Sequence, residues 1–491
     1  MYLTNMLYGN IIIINGYING YNMKDYKYIA IANQLLNDVH YRKSGRRLPS
    51  ERKICGIFKV SRITAKKALN HLKENSKVTR HVGRGTFIST SKSRISITLL
   101  VTPHLPGVEM ISFFKDEISR YAGQTPGVDI SIKEIQGNVV SSSYSIPGVK
   151  IIYWPYAGYV SPMDILVPLD EFSDFTQVMS LVNNNYCHWG NDRTGRTRCY
   201  SIPMHLGVDA FMFNREYAGL LGLDADRGPS DWNDILHWCK ATGENRKRKI
   251  APTFLSDFDG FLLPSSYYYT LSGGNNFIFD DKGKINFSFD SGVKWLKFFR
   301  DLHLLKKNMI LTSHQPDPIF SGKTLFTLTG GTWMYSQKKR LGSDVPVKVV
   351  PIPPCEKNNG SVSRVGKYEL AIASGGSSSE DEIRGAWDFI KYLTCEEDVQ
   401  ERLVGIFSSL AANKNVFSRQ GQDMKWAPFI QALATGIIPT PHPVMFAINA
   451  IMKKYFRMSV FGGMDPEEAT VKIDELCRLQ IEIEKERSGI A

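Results

Sequence analysis

The sequence predicts a multidomain protein in which a small α+β domain, with three helices and a β-hairpin, precedes a much larger α/β domain. Three observations lead to this prediction. The chain has 491 residues, more than a single hydrophobic core accommodates. An excess of positive charge is confined to one end. Over the rest of the chain, short apolar runs alternate with helical patterns.

The charge of the chain is distributed unevenly. Residues 23–94 contain 18 lysines and arginines against 4 acidic residues, whereas the rest of the chain contains 42 basic and 44 acidic residues. This segregation indicates a module that binds a polyanion, joined to a nearly neutral body. The overall content of 43% hydrophobic and 22% charged residues is that of a globular protein and excludes a disordered chain.

Seven cysteines are scattered without a CxxC pair, which favours free thiols in a reducing compartment. Cys187, His188 and Cys199 fit no zinc spacing, and we expect no metal and no cofactor. Residues 1–22 carry no charge and only a short apolar run, so they resemble neither a signal peptide nor a transmembrane helix. We expect a disordered extension over 1–22, with Met23 as an alternative start, and a cytoplasmic protein without membrane contact.

The basic end begins with three helical patterns. The first starts at Asp25 and has one apolar face, formed by Tyr28, Ile31, Ala32, Leu35, Leu36 and Val39. Ser50 is a good N-cap for a second helix over 51–58, and a turn at 59–61 leads to a third helix over 62–75. The residues of the third helix that we expect to face inward are Ile63, Ala65, Ala68, Leu69 and Leu72.

Two β-prone runs follow the third helix and meet at Gly83-Arg84-Gly85, which predicts a hairpin with a basic tip. Two short helices joined by a tight turn have the geometry that enters a DNA major groove. A basic hairpin beside them can follow the phosphate backbone or reach into the minor groove. The alternative, a solvated basic face on a small helical domain, explains the charge but neither the turn nor the hairpin.

The stretches LPSER, VSRITAKKAL and GRGTFI, in this order and spacing, resemble the winged helix-turn-helix domain of GntR-family transcription regulators. The resemblance spans roughly residues 25–90, and we place the domain at 23–88. At Ser76-Lys77 the chain departs from the family, which usually has Gly followed by an aliphatic residue. The DNA-binding residues that the resemblance implies are Ser50, Arg52, Ser61, Arg62, Thr64, Lys66, Lys67, His81, Gly83, Arg84 and Gly85.

After a polar linker over 89–94, strands alternate with helices. Apolar runs predict strands over 95–101 and 149–154, and a helical pattern covers 109–121. This alternation predicts an α/β architecture with largely parallel sheets. Ligands bind beyond the carboxyl ends of the strands in such sheets.

A second resemblance covers about residues 95–485. GRTRCYSIPMHLGVDAFMFNREYAGLLGL followed by PSDWNDILHWCKA resembles family 1 extracellular solute-binding proteins, the sugar-binding class that serves ABC importers. PLDEF, GGTWMYS, YELAIASGG, AWDFIKYLT and DPEEATVKI extend the match in order. The resemblance implies a two-lobed α/β periplasmic-binding-protein-like domain (type II) over 95–491, with hinge segments that cross between the lobes.

Sugars are bound by aromatic faces and by carboxylates, amides and arginines. Trp333 lies in the loop where the resemblance places a binding aromatic, and Trp154 stands at the end of a predicted strand. The candidate ligand-binding residues are Trp333, Trp154, Tyr368, Glu369, Asp259 and His104. The aromatic residues that we expect to pack in the core are Trp232, Trp295, Trp387, Tyr267, Tyr268 and Tyr269.

Together these patterns favour a carbohydrate-responsive repressor that binds a palindromic double-stranded operator as a homodimer. The runner-up is a GntR-type regulator with a pyridoxal-phosphate aminotransferase-like domain. That domain requires a strand-end lysine, for which Lys323 is the nearest candidate, but an Asn-Pro-rich aminotransferase signature is missing. GxSxG and HExxH motifs are also missing. An effector domain of the LacI type would be considerably shorter than this body.

Overall fold

The structure of the protein is a computed structural model. The residues it describes are 26–37, 47–74, 77–81, 84–88, 95–101, 107–135, 146–154, 166–192, 194–244, 251–253, 255–256, 267–268, 271, 288–305, 310–311, 319–332, 334–357, 359–374, 378–438 and 444–488.

The helices of the described residues are α1 (Tyr26–Asn37), α2 (Glu51–Phe58), α3 (Arg62–Glu74), α4 (Gly107–Gln124), α5 (Phe175–Leu181), α6 (Arg215–Leu220), α7 (Trp232–Glu244), α8 (Phe289–Leu304), α9 (Met334–Leu341), α10 (Glu380–Cys395), α11 (Glu397–Phe407), α12 (Lys414–Gly421), α13 (Ala427–Ala434), α14 (Met445–Val460) and α15 (Pro466–Ser488). The strands are β1 (Val78–His81), β2 (Gly85–Ile88), β3 (Ile95–Val101), β4 (Val128–Glu134), β5 (Val149–Trp154), β6 (His188–Asn191), β7 (Thr197–Asn214), β8 (Leu255–Ser256), β9 (Ile310–Leu311), β10 (Phe326–Gly331), β11 (Val347–Val350), β12 (Val365–Ala373) and β13 (Leu410–Ala411).

Helices α1–α3 and the β1–β2 hairpin surround one small core. Its buried residues are Ile31, Ala32, Leu35, Leu48, Ile54, Ala65, Ala68, Leu69, Leu72 and Val78. Helix α2 has the predicted bounds, and the side chain of Ser50 accepts a hydrogen bond from the Lys53 N–H at 3.4 Å. Of the apolar residues predicted to face inward from α1, Val39 lies outside the described residues.

The prediction that Ile63 faces inward is wrong, because 71% of this residue is exposed. The core face of α3 is set by Ala65, Ala68, Leu69 and Leu72. Ile63 precedes Ala65 by two positions, which on an α-helix is a rotation of about 200°. The Ile63 side chain, in the first turn of α3, therefore points away from the core.

The central sheet is mixed, with the strand order β10-β7-β12-β5-β3-β4. Strand β3 runs parallel to β4 and β5, and the other pairings along this order are antiparallel. The expectation of a largely parallel sheet is therefore wrong. The expectation fails because β7 and β12 are antiparallel neighbours, an arrangement that alternating βα units do not predict.

The α/β body has two large hydrophobic cores, and we call the parts around them the first and the second lobe. The first lobe has buried residues such as Phe113 and Trp387, from α4 and α10. The second lobe has buried residues such as Trp295 and Phe456, from α8 and α14. The predicted packing roles of Trp232, Trp295, Trp387, Tyr267 and Tyr268 are confirmed by their burial, and Tyr269 lies outside the described residues.

Gln400, on α11, is fully buried and joins three backbone segments of the first lobe. Its Nε2 donates to the carbonyls of Met204 (3.1 Å) and Leu393 (2.7 Å), and its Oε1 accepts from the N–H groups of Ala412 (3.0 Å) and Asn413 (3.2 Å). Gln400→Ala leaves these four buried groups without this partner. We expect it to lower the free energy of unfolding by about 3 kcal/mol, as measured by urea unfolding.

The matched control is Gln422→Ala, at an exposed position that follows α12. It should change the urea midpoint little, since substitutions at exposed positions stay within about 0.5 kcal/mol. An equally small effect of Gln400→Ala would mean that water or neighbouring side chains replace its hydrogen bonds.

Candidate DNA interface and lobe crossing

The start of α3 is fixed by two hydroxyl groups. The Oγ of Ser61 accepts a hydrogen bond from the Thr64 N–H at 3.2 Å, and the two side-chain oxygens lie 2.9 Å apart. This cap stabilises the first turn and leaves the positive end of the helix dipole beside the exposed Arg62. Such a helix end attracts phosphate groups.

Glu51 connects this helix start to the hairpin. Its Oε1 accepts from Arg80 Nη2 at 2.6 Å, and its Oε2 accepts from Arg62 Nε at 3.4 Å. The hydrogen bond from Arg80 is the main reason why the pKa of the Glu51 carboxyl is lowered. Because 84% of the Arg62 side chain stays exposed, the contact orients this guanidinium without hiding it. The sequence contains a signal for this role, because Glu51 is the single acidic residue in 48–69, a stretch with six basic residues.

The hairpin pairs β1 with β2 in antiparallel register, with His81 opposite Gly85. Gly85 has φ of +116°, a backbone conformation that favours glycine. The Arg84 N–H donates to the His81 carbonyl at 3.1 Å. Arg47 forms an antiparallel bridge with Phe87 and so belongs to the wing, a role that we did not predict.

The described members of the predicted DNA-binding set lie mainly at the surface. Thr64 and Gly85 are half-buried, and Gly83 lies outside the described residues. The Nζ of Lys67 lies 5.8 Å from the centroid of the Tyr28 ring. The exposed members are Ser50, Arg52, Ser61, Arg62, Lys66, Lys67, His81 and Arg84.

The two lobes are joined where β7 passes β12, and we call residues 205–209, 363–368 and 436–437 the crossing. Gly207 and Gly366 face each other in the register. Arg364 binds both carboxylate oxygens of Asp209, at 2.9 and 3.3 Å. Residues 436–437 form the third segment, because the Ile437 N–H donates to the Ser363 carbonyl at 2.8 Å.

An aromatic stack lies at the crossing. Tyr153 Oη lies 2.8 Å from His205 Nε2, and the rings of His205 and Tyr368 stack with centroids 4.3 Å apart. Burial lowers the pKa of His205 to about 3, so the imidazole is neutral at pH 7. His205 Nδ1 is buried without a hydrogen-bond partner in the described structure.

A buried ion pair occupies the same part of β12. Glu369 Oε1 lies 2.8 Å from Lys367 Nζ and accepts a hydrogen bond from Ser201 Oγ at 2.8 Å. Glu369 is fully buried, and these two contacts offset the cost of removing its carboxylate from water. The pKa of the nearby His188 is lowered to about 4, first by burial and then by the charge of Lys367.

Three of the six candidate ligand-binding residues lie on the neighbouring strands β5 and β12, at or next to the crossing. In the register of β5 and β12, Trp154 lies opposite Glu369, next to Tyr368. Tyr368 is half-buried in the aromatic stack, while Glu369 is inaccessible in this structure. The candidates outside the described residues are His104, Asp259 and Trp333. Strand β10, after which Trp333 follows in the sequence, ends opposite Asp209.

A winged helix-turn-helix unit followed by two α/β lobes with shared crossing strands defines a DNA-binding domain fused to a two-lobed binding-protein fold. Residues 133–431, more than half of the chain, match the family of bacterial extracellular solute-binding proteins, and the chain belongs to that family. Residues 27–88 match the bacterial regulatory proteins of the gntR family.

Among curated proteins, the chain is similar to the probable fructoselysine utilization operon transcriptional repressors of Escherichia coli strain K12 and Shigella flexneri. Each is 33% identical over 67 residues, which are 13% of this chain. The similarity covers only 28% of the length of these relatives. It therefore concerns the DNA-binding end alone.

Solved structures show a similar fold over most of the chain. The GacH receptor of Streptomyces glaucescens, solved unliganded and with acarbose, matches 79% of this chain and 98% of its own with 17% identity and a TM-score of 0.63. Maltose-bound MalE3 of T. maritima matches 78% and 99% with 16% identity and a TM-score of 0.60. MalE of Xanthomonas citri matches 80% and 98% with 16% identity and a TM-score of 0.62.

The described residues lack both a membrane-spanning helix and a cluster of metal ligands. They contain no helix that is both long enough and apolar enough to cross a bilayer. They also contain no group of three or more His, Cys, Asp or Glu side chains placed to hold a metal ion.

The buried histidines predict an acid-sensitive stability. Between pH 6.5 and about 4, the unfolded chain binds protons at His205 and His188 that the folded chain does not, so the free energy of unfolding falls as the pH is lowered. Each histidine contributes about 1.4 kcal/mol per pH unit in this window. His205→Phe keeps a ring against Tyr368 and removes one titrating group. It should reduce the loss of stability between pH 7 and pH 5 by about 2 kcal/mol.

Urea unfolding at the two pH values measures this difference. His237→Gln, a change at an exposed histidine of α7, is the control and should lose as much stability on acidification as the wild type. If His205→Phe behaves in the same way, His205 takes up its proton without unfolding.

Proposed function

We propose that the protein is a ligand-responsive transcription regulator that binds DNA through residues 23–88 and senses a carbohydrate through residues 95–491. The observation that carries this proposal is the union, in one chain, of a winged helix-turn-helix domain and a two-lobed solute-binding fold. Neither family is a family of enzymes, and the protein acts by binding rather than catalysis. It works in the cytoplasm, where its DNA lies.

Helix α3 enters the major groove of the operator. Arg62 is placed at its first turn to bind the acceptors of a guanine, which an exposed guanidinium reads with two hydrogen bonds. Ile63 projects next to it and suits contact with a thymine methyl group. The other residues proposed to contact DNA divide into those that bind mainly phosphates, Ser50, Arg52, Ser61, Thr64, Lys66 and Lys67, and those of the wing, His81, Gly83, Arg84 and Gly85.

The active form is a homodimer on a palindromic operator. One winged helix reads only a few base pairs, and two of them related by a two-fold axis match a symmetric site. The curated relatives of the DNA-binding end are described as repressors, which supports repression as the role of this chain.

The carbohydrate binds between the lobes. The crossing supplies the hinge, because its backbone segments are the ones that both lobes share. The similar structures with bound acarbose and maltose support a sugar as the ligand. The residues proposed to touch it are Trp333, Trp154, Tyr368, Asp259 and His104, whereas Glu369 is fully buried and is not proposed as a contact.

The sugar releases the repressor from its operator. Tight binding of a ligand does not shift an equilibrium unless the ligand binds the two states of the protein differently. Closure of the lobes around the sugar gives such a difference, since the closed form makes contacts with the ligand from both sides.

The aminotransferase-like alternative has no support in the structure. Lys323 is exposed, lies three residues before β10 and is followed by Thr324, which forms an isolated bridge with Ala251. The Lys323 carbonyl accepts a hydrogen bond from the Ala251 N–H at 3.1 Å. A Schiff-base lysine works in a pocket that shields it from water, whereas the Lys323 side chain lies at the surface.

Arg62→Ala should weaken operator binding by about 100-fold, since each base-reading arginine contributes about 1–3 kcal/mol and the dimer has two. An operator is first selected in vitro from random duplex DNA by the wild-type protein, and affinities are measured by fluorescence anisotropy. The thermal midpoint of the variant should stay unchanged, because the side chain is exposed.

The control for this variant is Lys240→Ala, a change at an exposed lysine of α7 that removes the same charge far along the chain. It should bind the operator as the wild type does. Wild-type affinity of Arg62→Ala would exclude α3 as the reading helix, and failure to select any operator would contradict the regulator proposal.

A thermal-shift screen against mono- and oligosaccharides, including maltose and maltotriose, tests the sugar. A ligand present at ~100 times its Kd adds about 2.7 kcal/mol to the free energy of unfolding, which is visible as a shift. Trp333→Ala should reduce that shift and leave operator affinity without sugar unchanged. The control is Trp189→Ala, at a tryptophan that is 46% exposed on β6, and it should keep the full shift.

Two outcomes would contradict parts of the proposal. An undiminished shift in Trp333→Ala removes this residue from the sugar site. The absence of a shift with every sugar makes the carbohydrate assignment wrong, and amino acids, peptides and polyamines become the next solutes to test.

A further inference from the structure

An ion pair joins the DNA-binding domain to the first lobe. Lys77 Nζ lies 2.7 Å from Glu382 Oε1, across 305 positions of the chain. Lys77 stands between α3 and β1, and its N–H donates to the Leu72 carbonyl at 2.9 Å, where it closes the last turn of α3. The residue between the reading helix α3 and the wing is therefore held by the first lobe.

Glu382 is a fixed partner rather than a mobile surface acid. It belongs to a capping box at the start of α10, in which its Oε2 accepts from the N–H (2.9 Å) and the hydroxyl (3.0 Å) of Ser379, while the Ser379 Oγ accepts from the Glu382 N–H at 3.2 Å. Its side chain is 5% exposed and that of Lys77 is 26% exposed. A carboxylate held in this way offers its remaining oxygen in one direction, which makes the pair more specific than an exposed ion pair.

The first turns of α10 also lie where the chain enters the first lobe. A Cβ at Gly385 would lie 2.9 Å from Ile95 Cγ2, and Ile95 is the first residue of β3. Further along the helix, the Trp387 indole donates to Asp174 Oδ1 at 2.8 Å and stacks on Phe172 with centroids 4.8 Å apart. Helix α10 is thus anchored in the first lobe and meets both Lys77 and the start of β3.

The same helix is the continuation of β12. This strand passes through the crossing, carries Tyr368 and Glu369, and ends at Ala373. Ser379, the N-cap of α10, follows after a short segment. One continuous stretch of chain therefore runs from the crossing to the carboxylate that binds Lys77.

We propose that Lys77 and Glu382 are positioning residues that dock the winged helix on the first lobe. Their ion pair fixes the orientation of α3 and the wing relative to the lobes, and with it the spacing at which two DNA-binding domains meet a symmetric operator. The consequence for DNA rests on the proposed function, whereas the docking contact itself does not.

The charges of the two residues make the proposal separable from a general electrostatic effect. Glu382→Gln removes a negative charge near a polyanion site, so a purely electrostatic effect would strengthen DNA binding. Lys77→Gln would weaken it for the same reason. A positioning contact predicts the same direction for both variants, because each one breaks the same pair. Glutamine at this position also preserves the capping box, so the helix start stays intact.

The experiment compares full-length wild type, Lys77→Gln, Glu382→Gln and the double variant by hydrogen–deuterium exchange and by operator affinity. Lys73→Gln, at an exposed lysine of α3, controls for the loss of a positive charge. Ser379→Ala controls for the loss of the helix cap. We expect amides of 77–81 to exchange several-fold faster in both single variants and in the double variant, and at the wild-type rate in Lys73→Gln. The first turn of α10 should exchange faster only in Ser379→Ala.

On the operator selected by the wild type, each single variant should bind about tenfold more weakly, and the double variant no more weakly than either, as for two residues of one interaction. Tighter binding by Glu382→Gln would overturn the proposal in favour of bulk charge. Wild-type exchange at 77–81 in both single variants would overturn the docking contact itself. If no operator is selected, the regulator proposal fails, while the exchange measurement still decides whether the pair docks the domain.

Discussion

Both lobes depend on one strand, β7, which contributes buried residues to the core of each. Strand β7 places Ile202 and Met204 in the core of the first lobe and Phe211 and Phe213 in that of the second. Its backbone is paired along its length, first with β12, β6 and β13 and then with β10 and β11. Breaking the strand would expose buried N–H and C=O groups, each of which costs as much as a lost hydrogen bond. Any relative movement of the lobes must therefore bend β7 without breaking its backbone pairs.

The polar groups at the crossing are matched to this constraint. Arg364 and Asp209 form a bidentate ion pair, and Lys367 and Glu369 of β12 form a buried network with Ser201 of β7. Buried charges of this kind are weak sources of stability but strongly penalise arrangements in which one partner is left alone. They favour a discrete arrangement of the segments over a continuous range of lobe angles, which is what a two-state response to a ligand requires.

In the DNA-binding domain, by contrast, the charged side chains stay exposed and are held in fixed orientations. Glu51 holds Arg62 and Arg80 without removing their guanidinium groups from solvent, and the hydroxyl of Ser61 fixes the first turn of α3. Exposed ion pairs contribute little stability, so the small core of α1–α3 keeps the domain folded while its polar surface is organised for a polyanion. The ion pair of Lys77 with Glu382 connects the DNA-binding domain to the first lobe.

The sequence by itself determined the division into a basic winged helix and a solute-binding body, the bounds of α2, β3 and β5, and the packing roles of Trp232, Trp295 and Trp387. Helix caps, apolar periodicity and charge segregation are local properties of the chain, so they can be recognised in the sequence alone. Only the tertiary structure decided the direction of β12 against β7, the burial of Glu369 and the pairing of Lys77 with Glu382. These depend on residues far apart in the chain, and no local pattern specifies which distant partner completes a buried charge or a sheet register.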